Sequence, residues 1–128
     1  MPLIKLDHVN VRTGQIDAMV AWYSDILGMH SGDRPNLARP GAWMYVGDQA
    51  VVHLISIDGD AGAGSETDLK LEHFALSASG MKEFEAKLTA AGEKFERRDL
   101  PGGTITQFNI WDPDGNHIHI DFPTNESA

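Results

Sequence analysis

The chain has 128 residues, with 19 acidic against 10 basic side chains and a net charge of -9 when histidine is neutral. That is one ordinary domain, long enough to bury a core, and so acidic a surface repels a phosphate backbone and argues against nucleic acid as a partner. Cysteine is absent, which removes disulfides, thiolate ligands and thiol nucleophiles, and no apolar run nears the roughly 20 residues of a membrane span.

Met1-Pro2-Leu3-Ile4-Lys5 lacks a signal-peptide layout, so a soluble, cytoplasmic protein is expected. Leu3 to Arg12 alternates in polarity and predicts a strand. Residues 15 to 27 carry Ile16, Met19, Val20, Tyr23, Ile26 and Leu27 at helical spacing, with Gly28 as the stop. A short extended piece near His30 to Arg34 leads into a proline-rich loop ending at Arg39-Pro40-Gly41. Trp43 to Val46 and Ala50 to Ile57 then predict a hairpin around Gly47-Asp48-Gln49. The turn has two or three residues, so the faces of Trp43, Met44 and Tyr45 stay open.

Asp58 to Ser65 is glycine-rich and polar, the natural linker. The pattern then restarts. Leu71 to Ser77 predicts a strand, and Ser79 or Gly80 opens a helix carrying Met81, Phe84, Leu88 and Ala91, closed by Gly92. Glu93 to Arg98 and Thr104 to Trp111 predict strands. Asp112-Pro113-Asp114-Gly115-Asn116 is a turn without the twelve-residue pattern and closing glutamate of a calcium loop, and His117 to Phe122 is the last strand. The expected division is a first module over 1–58, a linker over 59–69, a second module over 70–123 and a loose tail over 124–128.

The two halves are one module written twice. Leu6-Asp7-His8-Val9-Asn10-Val11 recurs as Leu71-Glu72-His73-Phe74-Ala75-Leu76, with His73 65 places after His8. Val52-His53-Leu54-Ile55 answers to Ile118-His119-Ile120-Asp121, with His119 66 places after His53, and Gly28 and Gly92 lie 64 apart. Strand parity decides what these histidines do, because side chains alternate between faces. His8, Asn10 and Arg12 oppose Val9 and Val11, and His53 opposes Val52 and Leu54. His73, Ala75 and Ser77 oppose Phe74 and Leu76, and His117, His119 and Asp121 oppose Ile118, Ile120 and Phe122. One histidine on a strand is usually just a solvated polar side chain. Four at repeat-matched positions, each backed by an apolar face, point to a metal held at the junction of the modules.

Taken together, these residues resemble the vicinal-oxygen-chelate superfamily, which includes glyoxalase I, fosfomycin-resistance thiol transferases, extradiol dioxygenases and bleomycin-resistance proteins. The resemblance covers about residues 3 to 122 and rests on the paired β-α-β-β-β modules, Trp22-Tyr23 followed by Leu27-Gly28-Met29, and Asp112 to Asn116. Arg39-Pro40-Gly41-Ala42-Trp43 followed by Val52-His53-Leu54 is similar to a glyoxalase-like subgroup. The resemblance implies an α+β fold of two β-α-β-β-β modules forming a cupped mixed sheet with helices on its outer face. It also implies a divalent ion (Zn, Fe, Ni, Co, Cu or Mn) bound by His8, His53, His73 and His119, and a homodimer whose sites are shared between chains. The family usually has glutamate at the position of His119, and glyoxalase I also has it at that of His53. Histidine at both argues against glyoxalase I chemistry, in which such a glutamate shuttles the proton.

The expected function is a metal-dependent lyase, isomerase or dioxygenase acting on a small vicinal-oxygen substrate. His53 is then a ligand or a base, and His117, two residues before His119 and about 6–7 Å along the strand, is a catalytic or rim residue. Arg12, Arg34, Trp43 and Tyr45 are candidate substrate contacts, the arginines through a carboxylate or phosphate. Trp22 and Trp111 are read as core, and His30 as surface. The competing expectation is a metal-free module that sequesters a small molecule, as bleomycin-resistance proteins do.

Overall fold

Alternation of apolar and polar side chains along each strand gives two sheets, each with one face under a helix. The computed structural model describes residues 1–58 and 71–127. The linker expected over 59–69, residue 70 and Ala128 lie outside the described residues. The chain divides into two units. The first contains β1 (Val9–Thr13), α1 (Ile16–Asp25), β2 (His30–Gly32), β3 (Gly41–Val46) and β4 (Gln49–Ser56). The second contains β5 (Phe74–Ser77), α2 (Met81–Ala91), β6 (Phe95–Asp99), β7 (Ile105–Trp111) and β8 (His117–Pro123), followed by a 3-10 turn over Thr124–Ser127. The fold is α+β, and each unit is a β-α-β-β-β module.

The two sheets have the same order, β1-β4-β3-β2 and β5-β8-β7-β6. In each module the first and last strands run parallel, and the remaining pairs are antiparallel. Val9 pairs with Val52 and Phe74 with Ile118, so the repeat seen in sequence is also a repeat of register. Both helices end alike. Gly28 and Gly92 take left-handed φ of 68° and 70°, which a side chain would resist. The residue after each glycine donates back to the last turn, Met29 N–H to the Tyr23 carbonyl and Glu93 N–H to that of Leu88.

α1 buries Met19, Trp22, Tyr23 and Ile26 against Met44, Val52 and Leu54 of the first sheet's apolar face. In the second module Phe84 of α2 meets Phe108 and Phe122, whose rings lie 5.5 Å apart edge to face. Met81, Leu88, Ile110, Ile118 and Ile120 complete that core. Truncating a fully buried member such as Leu54 to alanine costs about 2–5 kcal/mol. β6 is one edge of the second sheet, and its Glu96, Arg97, Arg98 and Asp99 are all exposed.

Some expectations change. The strand predicted from Leu3 starts only at Val9 and that predicted from Leu71 only at Phe74, so His8 and His73 stand just before their strands rather than on them. Before Val9 the chain is tied to β4 by a side chain rather than a ladder, for Gln49 Nε2 donates to the Asp7 carbonyl and its Oε1 accepts from Lys5 Nζ. The tail expected to be loose begins with an anchor, since Thr124 N–H donates to the Thr104 carbonyl and the Thr106 and Thr124 hydroxyls share a hydrogen bond.

Candidate metal centre

Parity on β8 puts Ile118, Ile120 and Phe122 into the core and aims His117, His119 and Asp121 at the opposite face. Across the ladder, Trp111 and Asn109 of β7 stand beside His117 and His119. His73, just before β5, lays its ring on that of His119 with centroids 3.7 Å apart and planes 16° from parallel. His117 meets His119 edge-on at 4.6 Å. One ring nitrogen from each of the three histidines lies within 4.8 Å of the others.

The acid before His73 orients this cluster. Glu72 accepts from His73 Nδ1–H through Oε1 at 3.0 Å and from His117 Nδ1–H through Oε2. These two bonds, that from His117 first, hold the Glu72 carboxyl below the usual carboxylate range. With Nδ1 bound to Glu72, His73 presents Nε2 as its ligand atom. His117 Nε2–H donates to Asn109 Oδ1 at 3.0 Å, and Asn109 is itself fixed through Nδ2 to the Glu96 carbonyl. His119 is buried, and its Nε2 is buried without a hydrogen-bond partner. Burial, helped by the neighbouring His73 and His117, pushes its pKa down and keeps the ring neutral. The unpartnered Nε2 of neutral His119, beside the Nε2 that His73 presents, gives two imidazole nitrogens of the kind that suit a divalent Zn, Fe, Ni, Co or Cu ion.

The first module repeats the acid–histidine pair with a different surround. Asp7 Oδ2 accepts from His8 Nδ1–H at 2.7 Å, which holds the Asp7 carboxyl low. The His8 ring stacks on His53 at 3.7 Å, and His53 stacks on Trp43 at 3.9 Å. His53 Nε2–H donates to the Ala50 carbonyl, which leaves Nδ1 with the lone pair of the neutral ring. Burial first and the neighbouring His8 second lower its pKa. Beside this stack is a cleft of about 280 Å³ whose walls include Asn10, Arg34, Leu37, Arg39, Trp43 and Ile55.

The β3–β4 turn has two residues, Gly47 and Asp48, and Trp43 pairs with His53. Trp43 therefore faces the site, while Met44 is fully buried in the core. Tyr45 pairs with His30 across the β2–β3 ladder. There it stacks on His30 at 5.4 Å and donates its hydroxyl to the Asp33 carbonyl. Tyr45 is thus not among the residues lining the cleft. Arg12 is exposed on the face of β1 that carries Asn10, and it too lies outside the cleft lining. Trp111 is not core. It stacks on His117 at 5.2 Å with Lys94 Nζ over its ring, because odd positions of β7 share the face of the odd positions of β8.

Sequence reasoning missed Glu72, Asp7 and Asn109. The signal for the two acids was present, since an acid precedes the histidine in both copies of the repeat. Asn109 is joined to His117 only by the β7–β8 register.

Solved structures share the fold. A glyoxalase-family candidate from Bacillus anthracis superimposes with a TM-score of 0.77 at 23% identity, over 96% of this chain and 98% of that one. A glyoxylase/bleomycin resistance protein/dioxygenase domain from Frankia sp. EAN1pec gives 0.75 at 21%, over 95% and 99%. Lactoylglutathione lyase from Agrobacterium tumefaciens gives 0.70 at 18%, over 95% and 96%. A comparison with curated proteins found no match. Among the described residues no helix is long and apolar enough to cross a membrane. The profile of the Glyoxalase/Bleomycin resistance protein/Dioxygenase superfamily matches residues 5–120, and the chain belongs to that superfamily.

Proposed function

We propose that the chain is a divalent-metal-dependent enzyme, of lyase, isomerase or dioxygenase type, acting on a small compound with vicinal oxygens. The observation that carries this reading is the buried, unpartnered Nε2 of His119 set among the ring nitrogens of His73 and His117. An ion there would act as a Lewis acid whose charge the neutral ligands leave uncompensated, favouring an anionic, oxygen-chelating substrate. His73, oriented by Glu72, and His119 are its ligands in this module. In the first module His8 and His53 hold the matching positions. Proton movement is assigned to His117, positioned by Glu72 and Asn109 with its Nε2–H toward the amide oxygen, and to His53, whose neutral Nδ1 is a base.

Elemental analysis of protein purified without chelator tests this. The wild type should carry metal, and His73→Ala and His119→Ala should lose most of it. His8→Ala reads the contribution of the first module separately. Equally low metal in all four proteins would sink the enzyme reading. That outcome would favour a metal-free binding module, which the aromatic wall formed by Trp43 and His53 beside the cleft also supports. We further propose a homodimer, for which light scattering should return twice the 14.0 kDa of one chain.

A further inference from the structure

The cleft of the first module has a chemistry of its own. Arg34 reaches it from the loop after β2, and its guanidinium is pinned, Nη2 donating to the Arg39 carbonyl at 2.6 Å. Its Nε is buried with no hydrogen-bond partner. A buried N–H of a charged group is costly to leave without an acceptor, so this donor is suited to receive one from a ligand. Gly41 makes room for it: a Cβ there would sit 3.2 Å from Arg34 Nη2 and only 2.2 Å from the Leu54 carbonyl oxygen. Around this donor the walls are apolar or flat, with Leu37, Ile55 and the indole of Trp43, while Asn10 adds an amide. At about 280 Å³ the cleft is near the small end of ligand pockets.

We propose that this cleft binds a small monocarboxylate with a flat apolar body, the carboxylate on Arg34 Nε and the body against Trp43. Nε–H is the donor of this guanidinium that is buried without a partner, and a single buried donor among apolar walls suits a carboxylate on a flat body better than a phosphate dianion, which demands more donors there. The chain is acidic overall, so an anion is drawn here by this local donor and not by the general field. The site belongs to the first module and stands whether or not the histidines of the second module hold a metal.

The test uses full-length protein stripped of metal with chelator, so that failure of the metal reading cannot affect it. Calorimetric titration compares 2-naphthoate, neutral 2-naphthamide and naphthyl phosphate. Naphthoate should bind at least about tenfold more tightly than the amide, the size expected of one charge-assisted hydrogen bond. Arg34→Gln should erase that preference, and Arg34→Lys should not restore it, because lysine brings the charge without the Nε–H. Trp43→Leu should weaken acid and amide alike. Equal binding of acid and amide to the wild type, tighter binding of the phosphate, no binding of any of the three, or an unchanged preference in Arg34→Gln would each overturn the proposal. The wild-type comparison decides the matter even if an Arg34 variant does not fold.

Discussion

Each of the two histidines that open a module is preceded by the acid that holds it. Asp7 takes His8 Nδ1, and Glu72 takes His73 Nδ1 and His117 Nδ1 together. Outer carboxylates of this kind fix the tautomer and the ring angle of a ligand, and losing one typically weakens metal binding by about 10–100-fold. Glu72→Gln should therefore lower Zn²⁺ affinity by that order in a chelator-competition titration, while Glu85→Gln, which removes an acid paired with Arg97, should not. A second residue-scale expectation concerns pH. His53 and His119 have folded pKa values below the ordinary 6.5, chiefly because burial disfavours the charged ring. As pH falls through 6.5 the unfolded chain takes up protons that the folded one refuses, so acid favours unfolding. The melting temperature of metal-stripped protein should be flat above neutrality and drop as pH falls below about 6.5, and His119→Gln should flatten the drop. A slope of the opposite sign would contradict the burial argument. The histidines themselves were legible from the repeat. His117 joining the cluster was not, because it depends on Glu72, 45 positions away, bridging to it.

At the scale of elements, the hairpin β7–β8 sets the site's register. Asp112 is its clamp: Oδ1 accepts from Asp114 N–H and Asn116 N–H, and Oδ2 accepts from Asn116 Nδ2. The sequence marked Asp112 to Asn116 as a turn, but the pairing of Trp111 with His117 that it enforces needs the structure. Removing a buried carboxylate with three bonds leaves its donors unsatisfied. Asp112→Ala should cost about 2–4 kcal/mol in urea unfolding, more than a surface change. Helix ends were readable because only glycine suits their left-handed φ, and strand faces because alternation was strong. The face of Trp43 was not, since it hinged on the turn at Gly47 being two residues long. Nor was that of Trp111, whose size argues for burial while its parity puts it with the histidines.

For the whole molecule, duplication explains the plan and divergence explains the chemistry. Both modules keep the same strand order, glycine-ended helix and acid–histidine pair, yet one gathers three histidines and the other a cleft with a half-buried arginine. The chain's self-similarity gave away the shared plan. The differences come from residues outside the repeated strings, such as Arg34 and Asn109, and so escaped it. The charged run on β6 carries a consequence for solubility. An outermost strand offers unpaired backbone groups to any passing strand, and charge along it is a common defence against aggregation. Glu96, Arg97, Arg98 and Asp99 supply that defence at the one edge of the second sheet far from β5. Replacing Glu96 and Arg98 with valine would leave β6 pairing normally with β7 while making its outer rim adhesive. That double variant should form thioflavin-positive aggregates at concentrations where the parent chain stays clear.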